Sequence, residues 1–205
     1  MGAGWGRIGA VSDDLLYNDK AALRSRLLAA RRALPPERRS TAAAALAERA
    51  LTLLPADAVV AAYVSVGAEP GTRPLLDLLH ERGTRVLLPV LLPDNDLDWA
   101  AYQGPDRLAP AARGLLEPTG ERLGQDAVTG AGVVLLPGLA VDRRGLRLGR
   151  GGGSYDRVLA RLAAAGATPL LATLLYPDEL LDRVPAEPHD RPVHAVVTPE
   201  GVHRF

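Results

Sequence analysis

Cysteine is absent from this chain of 205 residues, which excludes disulfides, thiolate metal sites and cysteine nucleophiles. Neither sign of charge is in excess, because 24 basic and 24 acidic side chains give a formal net charge of zero. Attraction of the whole molecule to nucleic acid or to anionic lipid is therefore not expected. No uninterrupted apolar run approaches the ~20 residues that a bilayer-spanning helix needs. We expect neither a nucleic-acid nor a membrane partner.

Several sequence motifs are also missing. There is no Gly-x-x-x-x-Gly-Lys-Ser/Thr, which excludes a P-loop NTPase. The glycines of residues 149–153 lack the dinucleotide spacing, and no acidic residue follows about 20 positions later. Ser154 does not lie in a Gly-x-Ser-x-Gly elbow, which argues against a hydrolase nucleophile. The basic stretch 20–39 has no interleaved aromatic residues, so a solvated amphipathic helix explains it better than RNA binding. The four histidines form no recognisable zinc motif: His80, His189, His194 and His203.

The length suits one compact domain with a sizeable core. A hydrophobic share of 47% beside 23% charged residues is typical of a globular protein. Residues 1–18 are glycine-rich and lack the apolar core and cleavage site of a signal peptide. We interpret residues 1–18 as a disordered extension and residues 19–205 as a single domain, and we expect a cytoplasmic monomer.

Helical and strand patterns alternate along the chain. Asn18 or Asp19 can cap a helix over 20–33, where leucines recur at helical spacing. The other predicted helices are 37–53, 73–81 and 155–165. Apolar runs predict strands at 58–64, 85–89, 97–102, 133–136, 170–173 and 193–197.

This order of elements predicts a Rossmann-like α/β fold. We expect one three-layer α/β/α domain around a mainly parallel, mixed sheet. Residues 103–130 form a long excursion, and loops of this length are often functional. The glycine-rich segment 149–153 lies beyond the carboxyl end of the strand at 133–136, where open α/β sheets bind ligands.

Residues 149–153 hold four glycines in five positions, so little side-chain cover remains over the backbone. Glycine lets a ligand approach the main chain, and successive amides ahead of a helix can converge on an anion. The surrounding charged residues are Arg147, Arg150, Arg157 and Asp156. The pattern favours a polyphosphate cradle with a carboxylate placed for a divalent cation. The alternative is a flexible glycine turn between solvated arginines.

Outside this loop, four side chains can be interpreted in two ways. Lys20, the only lysine, lies four residues before Arg24 on one helix face, where the two could hold phosphate or form a solvated face. Asp156 is either an ordinary first-turn helix residue or a Mg²⁺ ligand. Asp190 is either a turn residue or a second ligand, because Mg²⁺ needs only one or two carboxylates beside substrate phosphates.

The segment 136–156 resembles the signature of 5-formyltetrahydrofolate cyclo-ligases, also called methenyltetrahydrofolate synthetases. That signature runs L-P-G-L-A-F-D-x-x-G-x-R-L-G-x-G-x-G-Y-Y-D. The matching positions are residues 136–142 apart from Val141, then Gly145, residues 147–149, Gly151, Gly153, Tyr155 and Asp156. Val141 replaces the usual phenylalanine, and Ser154 replaces the first aromatic of the Tyr-Tyr pair. Weaker family-like features extend from Lys20 to about Val202.

The resemblance implies ATP- and Mg²⁺-dependent conversion of 5-formyltetrahydrofolate, with or without a polyglutamate tail, to 5,10-methenyltetrahydrofolate. Its implied ATP site comprises Lys20, Ala21, Ala22, Leu23, Arg24, Arg147, Leu148, Gly149, Arg150, Gly151, Gly152, Gly153, Ser154 and Tyr155. Its implied catalytic residues are Lys20, Arg147 and Tyr155. The implied folate contacts are Val64, Glu69 and Tyr155, and the implied Mg²⁺ ligands are Asp156 and Asp190. Two other classes remain open: another phosphate- or CoA-handling enzyme on a related scaffold, and a non-catalytic nucleotide-binding protein.

Overall fold

The computed structural model describes residues 19–187 and 190–205. The extension expected at residues 1–18 lies outside these residues. The α-helices of the described chain are α1 (Lys20–Ala33), α2 (Pro36–Leu51), α3 (Arg73–Glu81) and α4 (Ser154–Ala164). None of the helices within the described ranges is long and apolar enough to cross a membrane.

Twelve strands are present in the described residues and form three sheets. In chain order they are β1 (Val60–Ala61), β2 (Val86–Leu91), β3 (Leu97–Ala101), β4 (Leu108–Pro110), β5 (Leu116–Pro118), β6 (Val133–Leu136), β7 (Ala140–Asp142), β8 (Arg147–Leu148), β9 (Leu170–Leu174), β10 (Leu180–Leu181), β11 (Ala195–Thr198) and β12 (Gly201–Arg204). The main sheet has the order β12-β11-β9-β6-β1-β2-β3. Its five inner strands are parallel, and the edge strands β12 and β3 pair antiparallel.

Side chains of the main sheet alternate between two apolar layers. Val133 and Leu135 of β6 pack in the layer that contains the leucines of α2 and α3. Val134 and Leu136 of the same strand pack in the opposite layer with α4. Both faces of a parallel sheet must be covered, which explains why β6 is apolar at every position. The predicted three-layer fold with a mainly parallel, mixed sheet is confirmed.

Helix α1 packs away from the main sheet, on the small sheet β10-β7-β8. Leu23 and Leu27 are buried there with Leu139 and Leu148. Burial of each such leucine contributes about 1.5–3 kcal/mol. Because β8 leads into the glycine-rich segment, this packing brings the first helix beside that segment.

Two predictions differ from the structure in instructive ways. The apolar run 58–64 was predicted to be one strand, but only Val60–Ala61 forms a strand. The excursion 103–130 contains the hairpin β4–β5, whose strands pair from Leu108 with Pro118 to Pro110 with Leu116.

The predicted cap of α1 is present. Asp19, one of the two predicted caps, accepts hydrogen bonds from the amides of Ala21 and Ala22 at 2.8 and 3.2 Å.

Candidate active site

The glycine loop, residues 149–153, connects β8 to α4 in a conformation that depends on glycine. Gly151 has φ 91° and Gly153 has φ 77°, both in the left-handed region that side chains disfavour. Gly153 is the N-cap of α4, and no side chain within the described ranges caps this helix end. Its first-turn amides therefore have no competing side-chain acceptor, which suits binding of an anion.

Arg147 is a buried cation beside this loop, with a side chain only 6% exposed. Its Nη1 donates to the Pro137 carbonyl at 2.9 Å, and its Nη2 donates to Asp156 Oδ1 at 2.9 Å. Its Nε is buried and has no hydrogen-bond partner in the described chain. Burial lowers the pKa of Arg147, and the charge of Asp156 opposes that shift. A buried donor without an acceptor is costly, so Arg147 has unused hydrogen-bonding capacity beside the cavity that it lines.

Two glycines make room for the Arg147 side chain. A Cβ added to Gly149 would lie 2.8 Å from Arg147 Nη1. A Cβ added to Gly138 would lie 3.2 Å from Arg147 Cγ and 2.9 Å from Cγ2 of Thr173. Since real Cβ atoms almost never approach other heavy atoms so closely, both glycines fix where the guanidinium can lie.

The loop and Arg147 form one wall of a cavity of about 320 Å³. The predicted site residues that line it are Val64, Glu69, Arg147, Gly149, Arg150, Gly151, Gly152, Gly153, Ser154, Tyr155 and Asp156. The lining residues that were not predicted are Tyr63, Val66, Pro89, Leu91, Leu97, Arg113, Leu115, Leu116, Glu117 and Pro137. The cavity thus combines a polar, cationic wall with a largely apolar one.

Glu69 connects the two walls. Its Oε2 accepts a hydrogen bond from the Val66 amide at 2.8 Å, and its Oε1 accepts one from Arg150 Nη1 at 3.1 Å. Burial raises the pKa of both Tyr63 and Tyr155, and the charge of Glu69 raises them further. Both phenols are therefore neutral hydrogen-bond donors at physiological pH.

Helix α1 contacts the glycine loop from outside the cavity. Arg24 Nε donates to the Gly149 carbonyl at 2.9 Å, and a Cβ on Gly151 would lie 3.4 Å from Arg24 Cζ. Lys20 Nζ is 2.8 Å from Glu187 Oε1 and 3.2 Å from Asp190 Oδ2. Burial opposes the charge of Lys20, but these two carboxylates outweigh it and raise its pKa.

The remaining predicted residues lie behind the cavity wall or beside α1. Leu23 and Leu148 are buried in the apolar cluster under α1, so only their main chains can face a ligand. The amides of Ala21 and Ala22 are already bonded to Asp19. None of the residues from Lys20 to Arg24 lines the cavity.

The two predicted Mg²⁺ ligands lie in different surroundings. Asp156 lines the cavity, its side chain is 60% exposed, and its Oδ2 accepts no hydrogen bond from the described residues. Asp190 does not line the cavity, and its Oδ2 accepts hydrogen bonds from Lys20 and from the Glu187 amide. Burial lowers the pKa of Arg147, and the charges of both aspartates oppose that shift. The described chain has no group of three acidic or histidine side chains that could enclose a metal ion.

Sequence reasoning missed a buried ion pair below the site. Arg31 Nε and Nη2 donate to Glu179 at 2.6 and 2.8 Å, and Nη2 also donates to the Gly138 carbonyl at 2.7 Å. These hydrogen bonds secure the backbone of the residue against which Arg147 packs. No local sequence signal identifies the pair, because its members are 148 positions apart.

A mainly parallel α/β sheet with a bare, cationic glycine loop at a cavity is typical of phosphate-binding α/β proteins. Within that class the comparison with protein families is specific, because the model of the 5-formyltetrahydrofolate cyclo-ligase family matches residues 17–199. The chain belongs to that family.

Individual relatives agree with this assignment. The chain is 45% identical over 186 residues to a 5-formyltetrahydrofolate cyclo-ligase of Mycolicibacterium smegmatis, covering 88% of this chain and 94% of that protein. It is 33% identical over 176 residues to the 5-formyltetrahydrofolate cyclo-ligase of Escherichia coli K12, and the match covers 84% of this chain and 96% of that protein. The NMR structure of Aquifex aeolicus 5,10-methenyltetrahydrofolate synthetase matches with a TM-score of 0.76 and 28% sequence identity. The match covers 90% of this chain and 92% of that one.

Proposed function

We propose that this protein catalyses the ATP- and Mg²⁺-dependent cyclisation of 5-formyltetrahydrofolate to 5,10-methenyltetrahydrofolate, with release of ADP and phosphate. The observation that carries the proposal is a cavity lined both by the cationic glycine loop and by apolar side chains, with Glu69 hydrogen-bonded to Arg150 of the loop. Such a cavity suits two substrates that must meet: a polyphosphate and a flat heterocycle.

The chemistry requires alignment rather than a protein nucleophile. The formyl oxygen attacks the γ-phosphorus of ATP, the bond from that phosphorus to ADP breaks, and an imidate phosphate forms. N10 of the folate then attacks the formyl carbon and loses its proton while the carbon–oxygen bond breaks and phosphate leaves. Positioning and charge stabilisation dominate phosphoryl transfer, which agrees with the residues present.

Arg147 and the glycine loop are the groups that we assign to the triphosphate. Burial of Arg147 strengthens its interaction with phosphate oxygens, because water does not screen it there. Lys20 and Arg24 complete the ATP site in this proposal, with Lys20 exchanging its carboxylate partners for phosphate. The backbone of residues 149–153 supplies donors without side chains in the way.

The folate is assigned to the opposite wall. Glu69 accepts hydrogen bonds from the amide and amino groups of the pterin, and Val64 and Tyr155 contact the ring. Glu69 is already held by the Val66 amide, so one of its oxygens is oriented before the substrate arrives. Arg150 occupies the other oxygen and must release it when the pterin binds.

The residues present also fit Mg²⁺. Asp156 offers a carboxylate oxygen at the cavity, and we assign Asp190, which pairs with Lys20, as the second ligand. Bound Mg²⁺ neutralises negative charge on the phosphates that are being transferred. A site with one or two carboxylates suffices, since Mg²⁺ usually keeps several waters and takes further oxygens from the substrate.

Absorbance of the methenyl product tests the proposal, in an assay that contains ATP, Mg²⁺ and 5-formyltetrahydrofolate. Replacing Arg147→Met is expected to lower kcat about 10²–10³-fold, the usual cost of losing one donor that stabilises transition-state charge. Arg157→Met is the matched control, because Arg157 lies on α4 but does not line the cavity. Nucleotide turnover without folate would point to another phosphate-handling enzyme, and binding of nucleotide without turnover would point to a non-catalytic protein.

A further inference from the structure

A buried tyrosine contacts the backbone of the loop that carries Glu69. The Tyr176 hydroxyl donates to the main-chain carbonyl of Glu69 at 3.3 Å and to that of Ala68 at 3.5 Å. Tyr176 is buried and does not line the cavity. Its side chain can therefore affect the position of Glu69 without touching a molecule bound in the cavity.

The segment 66–71, which contains Glu69, is attached to the fold at both ends. The Ser65 amide donates to Thr72 Oγ1 at 2.9 Å, and the Thr72 amide donates to Ser65 Oγ at 3.1 Å. Between these ends the chain turns at Gly67, which has φ 62°. The Tyr176 hydroxyl contacts the middle of the segment from a point 107 positions later in the chain. That contact sets where the middle of the segment lies relative to the rest of the site.

Tyr176 is itself held by the buried pair of Arg31 and Glu179. Its amide donates to Glu179 Oε2 at 3.0 Å, and Arg31 Cζ lies 5.8 Å from the centroid of its ring, within the range of a cation–π contact. Arg31 also donates to the carbonyl of Gly138, the residue that packs against Arg147. One buried cluster thus contacts the backbone behind both Glu69 and Arg147.

We propose that Tyr176 is a positioning residue for the folate substrate, because its hydroxyl holds the backbone of residues 68–69 so that the Glu69 carboxylate is in place before the pterin binds. This inference rests on the proposed function, in which Glu69 binds the pterin. Without the hydroxyl, the segment 66–71 populates further conformations. The apparent affinity for folate then falls in proportion to the fraction of molecules in which Glu69 is correctly placed.

Replacing Tyr176→Phe removes the hydroxyl and keeps the ring beside Arg31. We expect the KM for 5-formyltetrahydrofolate at saturating ATP to rise about two- to ten-fold, the change in an equilibrium constant that corresponds to one net hydrogen bond. The KM for ATP at saturating folate should stay nearly unchanged, because Tyr176 has no hydrogen bond to the glycine loop. A loss of stability alone would not separate the two KM values in this way.

Tyr102→Phe is the matched control. Tyr102 is also buried, and its hydroxyl also makes a hydrogen bond, to Asp77 Oδ1 at 3.2 Å. Its amide donates to the carbonyl of Val86 at the start of β2, whereas the cavity is lined by Pro89 and Leu91 farther along that strand. Both KM values should be unchanged in this variant.

Amide hydrogen exchange of the free protein tests the proposed cause directly. The segment 66–71 should exchange faster in Tyr176→Phe than in the unmodified protein, because local opening of the segment requires less free energy. In Tyr102→Phe the exchange of the same segment should be unchanged. This measurement needs neither substrate nor turnover.

The outcomes for the reaction and for Tyr176 are distinct. If the unmodified enzyme converts no 5-formyltetrahydrofolate, the proposed function is wrong and the positioning role fails with it. If the enzyme does convert it, but Tyr176→Phe leaves the KM for folate unchanged, the reaction stands and the positioning role is overturned. A rise of both KM values by one common factor, or unchanged exchange of the segment 66–71, would overturn it as well.

Discussion

The two ends of α1 each hold a basic residue that pairs with a distant carboxylate, yet the two pairs differ in burial. At the carboxyl end, Arg31 and Glu179 have side chains only 3% and 6% exposed. At the amino end, the side chain of Lys20 is 24% exposed, and those of its partners Glu187 and Asp190 are 52% and 20% exposed. One helix thus contains both a buried and a solvent-accessible version of the same interaction.

The difference indicates which pair can exchange its partner. Burial alone lowers the pKa of Arg31 and raises that of Glu179, and their hydrogen bonds oppose both shifts. At 2.6 and 2.8 Å the contacts are those of an ion pair, so we take both groups to be charged. Lys20 loses little when it leaves a carboxylate for a phosphate, because exposed pairs contribute about 0–1 kcal/mol. We infer that the buried pair of Arg31 and Glu179 stabilises the position of α1, and that Lys20 is available to a ligand.

Replacing Arg31→Met should give the largest change in stability. It leaves Glu179 buried without its cation, and breaking a buried pair in this way costs about 3–5 kcal/mol. Urea unfolding measures the loss, with Arg26→Met as a control on the exposed side of the same helix. The control should change the free energy of unfolding by no more than about 0.5 kcal/mol. A loss below about 1 kcal/mol for Arg31→Met would remove the distinction between the two ends.

Replacing Lys20→Met should affect ATP more than stability. Hydrogen bonds to charged groups contribute about 1.5–3 kcal/mol, so we expect the KM for ATP to rise about ten-fold or more. The free energy of unfolding should fall by less than about 1 kcal/mol. Steady-state kinetics at saturating folate, again with Arg26→Met as the control, would check this. An unchanged KM would exclude Lys20 from the ATP site.

Gly153→Ala tests the loop that the amino-terminal half of α1 contacts. Gly153 has φ 77°, and apart from its own chain neighbours no atom of the described residues lies within 4 Å of an added Cβ, so the substitution strains the backbone without a clash. A left-handed conformation costs a residue with a Cβ about 1–2 kcal/mol. Urea unfolding of this variant should show such a loss, and its KM for ATP should rise because the loop shifts to relieve the strain.

Gly152→Ala is the matched control for the loop. Gly152 also has no atom within 4 Å of an added Cβ, but its φ lies outside the left-handed range. Its substitution should leave the free energy of unfolding nearly unchanged, because no left-handed strain is introduced. Equal effects of the two substitutions would mean that backbone conformation at Gly153 does not determine the shape of the loop.

Local patterns in the sequence predicted most of the fold. The bounds of α1, α3 and α4 were predicted to within a residue or two, because apolar spacing and caps are local features. The strand at β1 was predicted too long, since an apolar run such as 58–64 reports burial and not backbone pairing. The strands β7, β8 and β10 were missed because two or three residues cannot show an alternating pattern.

The signature in the sequence identified one wall of the cavity and missed most of the other. Residues 147–156 were predicted together because they are consecutive, and Glu69 and Val64 came from the family resemblance. Arg113 and Tyr63 were missed, because only the folded chain brings the β4–β5 hairpin and the end of β1 to the same cavity. Lys20 and Asp190 remain predictions, since they contact each other rather than the cavity.

The smallest effect that we expect is on the free energy of unfolding at alkaline pH, where the ion pairs at the two ends of α1 should respond differently. The folded-state pKa of Lys20 is raised above 10.5, so the folded protein binds this proton more tightly than the unfolded chain. Its contribution to stability is therefore complete below the unfolded pKa and is lost as the pH rises through the folded one. Arg31 keeps its proton throughout, because arginine is not deprotonated in proteins. In urea unfolding, the difference between the unmodified protein and Lys20→Met should shrink from below about 1 kcal/mol at neutral pH towards zero as the pH rises above 10.5, while the deficit of Arg31→Met persists. If the difference in free energy of unfolding between the unmodified protein and Lys20→Met stayed constant over that range, Lys20 would not stabilise the fold through its salt bridges to Glu187 and Asp190.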